Sequence, residues 1–246
     1  LRLSGGDARK LLNLLDLVVQ SVPGDGPVAI SDDYVLSVAQ QNLARYEKNG
    51  EQHYDIISAF IKSIRGSDPN AAVYWLARMI AGGEDPLFIA RRMLILASED
   101  IGNANPTALV IANNCFEAVN KIGYPECRIT LSQAAVYLAC SAKSNASYMA
   151  IEDALAAVKE SGDLPVPLSI RNAPTKLMKS LGYGKEYAYD HHRERNFAGQ
   201  EFLPEELKGR TFYQPGTNTR EQEIRSWLKS LWKEKYHYGD ESTGKP

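Results

Sequence analysis

The chain carries one short stretch that ends like a phosphate-binding loop, Leu181-Gly182-Tyr183-Gly184-Lys185-Glu186. Such a loop, G-x-x-x-x-G-K-[ST], cradles phosphates with glycine-rich backbone and sets a hydroxyl on magnesium directly after the lysine. Here Lys179 stands where the first glycine is needed and Glu186 where the hydroxyl is needed. A carboxylate at that point repels phosphate. The motif is therefore rejected, and the chain by itself is not expected to hydrolyse a nucleotide in that manner. The four histidines, His53, His191, His192 and His237, lack the i, i+4 spacing that turns two ligands to one side of a helix. Cys115, Cys127 and Cys140 have no C-x-x-C partner and lie in apolar helical text, where thiols usually pack. Their odd number points to a reducing, intracellular compartment. The acidic pairs Glu99-Asp100 and Glu152-Asp153 diverge by about 100° on a helix and so do not converge on one proton. There is no G-x-S-x-G. No catalytic residue, metal ligand or cofactor is assigned within this chain.

Binding is better supported than catalysis. The formal charge of −2 excludes a uniformly basic coat, yet the charge is unevenly spread. Residues 1–170 hold 14 basic and 19 acidic side chains, residues 171–195 hold six and three, and residues 208–238 hold seven and three. The positive charge thus lies in the C-terminal third, where Lys176, Lys179, Lys185, Arg193, Arg195, Arg225, Lys229 and Lys233 are the candidates for contact with nucleic-acid phosphates. Arg225, Lys229 and Lys233 recur at i, i+4 and i+8, a cationic ridge on a helix whose apolar stripe is Ile224, Trp227, Leu228, Leu231 and Trp232. A solvated face is the bland alternative. Near the start, Arg9 falls in the first turns of a helix, where a cation opposes the helix dipole. An ordinary exposed arginine and a phosphate-sensing one are both open from spacing alone.

The elements that position these residues are helical. Of the 246 residues, 44% are apolar, enough for a core, and no run of about 18 apolar residues reads as a membrane span. Leu11, Leu12, Leu15, Val18, Val19 and Val22 follow the helical period behind a Ser4/Asp7 capping pair. Ser31 caps a second helix through Val35, Val38, Leu43 and Tyr46, ended by Gly50. Asp68-Pro69, Asp85-Pro86 and Asn105-Pro106 each join an N-cap to proline at N1 and open an apolar helix. Further helices are predicted at about 130–142, 146–160, 175–181 and 220–236. Strict alternation of β-branched residues is nearly absent, so the fold class is all-α. Residues 183–216 form a Tyr-rich irregular extension, and 239–246 are expected to be a disordered tail. The opening LRLSGGDARK has neither an initiator Met nor a signal-peptide pattern, and the chain is expected to be a piece of a longer one.

Five stretches carry a resemblance: SGGDARKLLNLLD (4–16), HYDIISAFIKSIRGSDPNAAVYWLARMIAGGEDP (53–86), RRMLILASEDIGNANP (91–106), PVPLSIRNAPTKLMKSLGYGKEYAYDH (165–191) and FLPEELKGRTFYQP (202–215). The first resembles the sensor-2 helix of clamp-loader-type AAA+ ATPases. The rest resemble the C-terminal half of the replication-associated recombination protein A family, which includes the Werner-helicase-interacting protein. The resemblance implies that 1–48 end the AAA+ helical lid and that 49–238 are an all-helical, collar-type oligomerisation domain forming a homotetramer. It implies that Arg9 is the sensor-2 arginine, and that ATP and Mg serve the full-length protein, whose P-loop core would lie upstream. It further implies a DNA-dependent ATPase of replication-fork maintenance, recombination and repair. Its partners would be DNA junctions and ends, single-strand-binding protein and replisome components, in the cytoplasm at the nucleoid, with no membrane. The helices around 72–80 and 87–97 are the expected self-association surface.

Overall fold

The computed structural model describes residues 8–22, 30–38 and 50–238. The Ser4/Asp7 pair, Leu43, Tyr46 and the 239–246 tail lie outside the described residues, as do the side chains of Arg9 and His53. By contacts the chain divides into two compact units, residues 1–60 and 61–246. No strand occurs among the described residues, and the all-α expectation holds.

In the first unit, α1 (Ala8–Gln20) precedes a helical run over 32–38, α2. Ser31 caps α2 as its spacing predicts: its Oγ accepts from the Tyr34 amide at 3.2 Å. The Tyr34 hydroxyl donates to the Ser21 carbonyl at 2.7 Å, tying α2 to the end of α1. Where the helix after Ser31 ends lies outside the described residues; α3 (Gly50–Arg65) runs from Gly50 across the boundary between the two units. Ile57, Phe60, Ile61 and Ile64 recur at helical spacing and are all buried, and this apolar stripe outweighs the poor propensity of one terminal glycine.

The second unit is built on α4 (Pro69–Ala81), α5 (Pro86–Leu96), α6 (Thr107–Ile122) and α7 (Cys127–Cys140). The Asp68 carboxylate accepts from the amides of Asn70 at 3.0 Å and Ala71 at 2.9 Å, and Asp85 accepts from Leu87 at 3.0 Å. Each cap is worth about 1 kcal/mol, and proline at N1 gives up an amide that had no helical partner. α7 is the centre, packed by α4, α5 and α6. It buries Cys127, Leu131, Ala134, Ala135, Leu138 and Ala139, and its alanines let the neighbouring backbones come close. Ile89, Met93 and Leu96 complete the core from α5. Burial pushes the Cys115 thiol up to about 11.

After α5 the helix widens into a single π-type turn, Ala97–Ile101. Asp100 is buried there. Its Oδ1 accepts from Arg65 Nε at 2.6 Å, and its carbonyl accepts from the Ser144 amide at 2.8 Å. The next residue but one must be small: a Cβ on Gly102, at φ +48°, would meet Ser147 Oγ at 3.0 Å and the Ser144 carbonyl at 3.2 Å. Lys143 closes α7 by donating to the carbonyls of Leu138, Ala139 and Ser141. Desolvation lowers its pKa from the ordinary lysine value. These bonds fix where α8 (Ala146–Ser161) begins.

Beyond α8 come a short α9 (Lys176–Ser180) and the last helix, α10 (Thr219–Trp232). No residue between Ala157 and Pro215 is buried. This stretch is held by aromatic edges and polar bonds. Trp232 meets Phe197 at 4.9 Å and Tyr236 at 5.1 Å between ring centres. Lys235 Nζ lies 4.4 Å over Trp232 and 3.0 Å from the Glu201 carboxylate. At the α10 N-terminus Glu221 is fully buried, accepting from Tyr213 Oη at 3.2 Å and Asn218 Nδ2 at 2.6 Å. A Cβ on Gly216 would sit 2.6 Å from that carboxylate. α10 stops at Lys233, whose φ of +52° ends it short of the Tyr236 expected from periodicity.

Candidate functional site

Among the exposed apolar residues of the described part, two surfaces of the second unit stand out. The first is on α8. Of its 16 residues only Ala157 is buried. Tyr148, Ile151, Leu155 and Val158 recur at intervals of three, four and three residues, and are 42%, 54%, 56% and 56% exposed. That 3–4 spacing sets the four side chains in one seam along the helix, the pattern by which one helix packs against another. The helices expected to associate, α4 and α5, share their apolar residues between core and surface. α5 turns Ile89, Ala90, Met93 and Leu96 inward, and α4 turns Ala72, Leu76 and Met79 inward. Tyr74 and Ile95 stay exposed on the same helices.

The second surface is the outer face of α10. Trp227, placed by spacing in the buried stripe, is 52% exposed. The inner position is taken by Glu221, whose carboxylate accepts from Tyr213 Oη and Asn218 Nδ2 while its backbone amide donates to Asn218 Oδ1. Arg195 lies with its guanidinium carbon 4.9 Å from the Trp227 ring centre and donates from Nη2 to Ser230 Oγ at 2.7 Å. It does so from a left-handed backbone, φ +59°, which costs a non-glycine residue about 1 kcal/mol. A cation over an indole recovers a similar amount, about 0.5–1 kcal/mol at an exposed site.

The structure thus joins two of the basic segments, 171–195 and 208–238, through Arg195 and α10. It does not gather all the basic candidates. Lys176, Lys179, Lys185, Arg193, Lys229 and Lys233 are exposed. Arg225 is turned in, donating to the Pro215 carbonyl, so it leaves the ridge with Lys229. Lys233 lies past the last helical residue. Arg9 falls within α1, and its side chain is outside the described residues. His191 and His192 both stack on Tyr189, at 5.3 and 4.9 Å. Among the described residues no group of three His, Cys, Asp or Glu could hold a metal ion, and no helix is long and apolar enough to cross a membrane.

Residues 66–232 match the family model described as the C-terminal part of the MgsA AAA+ ATPase, and residues 1–65 match the AAA C-terminal domain model. The chain belongs to the MgsA AAA+ ATPase family, in its C-terminal part. Relatives agree. The Replication-associated recombination protein A of Coxiella burnetii is 48% identical over 225 residues, covering 91% of this chain and 51% of that protein. The Escherichia coli K12 protein of the same name is 43% identical, covering 90% and 50%. The ATPase WRNIP1 of Dictyostelium discoideum is 37% identical, covering 89% and 28%. The chain spans about half the length of the bacterial relatives named here. In this member of the MgsA family, the seam on α8 and the α10 face both lie within the 66–232 match. The α10 face was legible in part, as the cationic ridge, although Arg225 leaves it and Trp227 joins it. The α8 seam was not: four apolar residues at 3–4 intervals looked the same as a core stripe.

Proposed function

We propose that this chain is the lid end and tetramerisation domain of a DNA-dependent AAA+ ATPase of replication-fork maintenance, recombination and repair. The exposed seam Tyr148, Ile151, Leu155 and Val158 carries this reading. Four half-exposed apolar side chains in a row are the kind of surface a second copy covers. The chemistry belongs to the ATPase half, with its ATP and Mg. This chain contributes no turnover of its own. It holds the ATPase modules at high effective concentration and in fixed orientation. Arg9 takes the sensor-2 role, reporting the γ-phosphate to the lid. DNA ends and junctions, single-strand-binding protein and other replisome components are the partners of the whole protein, which works in the cytoplasm at the nucleoid.

Light scattering over a dilution series tests the reading. The expected mass is four times 27.2 kDa, and Ile151→Asp with Leu155→Asp should bring it to one copy with its helix content by circular dichroism unchanged. A wild-type chain that is monomeric at every concentration would remove the assembly role. A tetramer untouched by the double substitution would move it off α8.

A further inference from the structure

The outer face of α10 holds a feature that self-assembly leaves unused. A shallow groove of about 580 Å³ runs along the helix, lined by Thr219, Gln222, Glu223, Ser226, Trp227 and Ser230. Its polar groups are hydroxyl, amide and carboxylate, set around a single half-exposed indole. Arg195 is held at its Trp227 end by the ring and by Ser230. Lys229 and Lys233 are exposed on α10 and just beyond it, and Arg193 is exposed two residues before Arg195. Against these four cations stand Glu194, Glu223 and Glu234.

We propose that this groove takes one unpaired nucleotide of a nucleic-acid strand, its base lying against Trp227 and its phosphate beside Arg195. The inference rests on the DNA-dependent reading above and names the form of DNA that this chain would grip. The indole supplies a flat apolar face for any base, and a stacked base pair inside a duplex has no free face to offer it. Gln222 can both donate to and accept from a base edge, and Glu223 can accept from an exocyclic amine. The cations supply attraction to the backbone of either strand form, so they add affinity without selecting a form.

The test is anisotropy of a labelled oligothymidylate and of a labelled blunt duplex, titrated with the 246-residue chain at two salt concentrations. Trp227→Ala should weaken single-strand binding about tenfold, the loss of one stacked base, and leave duplex binding unchanged. Trp227→Phe should retain most of the affinity. Lys229→Glu should weaken both forms and flatten the salt dependence. Unchanged single-strand affinity in Trp227→Ala, or equal losses on both forms, would overturn the groove while leaving DNA binding by the chain in place. A wild-type chain that binds neither form at low salt would overturn both the groove and the DNA contact of this chain. The melting curve of each variant separates these outcomes from misfolding.

Discussion

The bundle of α4–α7 and the segment after α8 are fastened by different physics. In the bundle, Leu76, Ile89, Met93, Leu96, Leu131 and Leu138 are almost wholly removed from water, and helix packs directly on helix. After α8, no residue from 158 to 214 is buried, and order comes from aromatic edges, two helix caps, a buried carboxylate and a lysine over an indole. Apolar burial is non-directional and cooperative, whereas the polar fastenings act one at a time and are local. The bundle should therefore melt as a unit, and the extension should open in pieces beforehand. Both surfaces meet the bundle at one place: α8 packs on the turns 97–101 and 102–104, and α10 packs on 102–104. They differ in how each helix is held, α8 by the buried Ala157 and α10 by the buried Glu221.

The strongest way to break this contrast is in the bundle. Leu138→Ala removes a fully buried side chain from the central helix and should cost about 2–5 kcal/mol, lowering the melting temperature of the whole unit. If thermal melting and protease cutting after residue 161 shifted together by the same amount, the extension would not be a separate layer. Glu221→Gln is the counterpart in the extension. Tyr213 Oη and Asn218 Nδ2 both donate to the carboxylate, and a carboxamide can satisfy only one of them without turning its own donor inward. The cost should be about 1–3 kcal/mol, seen as faster hydrogen exchange at 213–232 while α4–α7 stay protected. Smaller again is Thr175→Ala, which removes the hydroxyl that accepts from the Met178 amide at 3.1 Å. Loss of that cap should cost about 1 kcal/mol locally and be visible only in exchange at 176–180.

The bundle was also the more legible region. Asp68-Pro69 and Asp85-Pro86 announce their helices because a cap is a local device whose partners lie within three residues. Asn105-Pro106 shows the same text but a different outcome. The Asn105 side chain donates to Tyr137 Oη at 3.1 Å and Ser141 Oγ at 3.0 Å, and α6 begins without a side-chain cap. Those partners are more than 30 residues away in sequence, so no local pattern points to them. α3 went unread although Ile57, Phe60, Ile61 and Ile64, all buried, stand at helical spacing. In the extension, transfer preference fails outright: Glu221 is inside and Trp227 outside. Reading that inversion requires knowing that Tyr213, Asn218 and Arg195 converge there. The family resemblance was legible from long runs of text, whereas the site geometry depends on such long-range meetings.

The smallest expected effect separates the two regions by pH. Burial opposes ionisation of Glu201, but the Leu203 amide, Lys235 Nζ and the Phe202 amide outweigh it and hold the carboxyl below its ordinary value of 4.5. A carboxyl that is more acidic in the folded state adds stability above the ordinary value, and that contribution is lost as pH falls through the depressed one. The pair is partly open to solvent, so its contribution should be under about 1 kcal/mol. Lowering the pH below 4.5 should therefore free Lys235 from Glu201 and loosen its hold on Trp232 before the bundle responds. Exchange at 197–203 and 232–236 should rise while that of α7 does not. Glu201→Gln should show the loosened behaviour already at neutral pH and lose the acid dependence. If the substitution left the acid transition of this segment in place, another carboxylate would have to hold the strap.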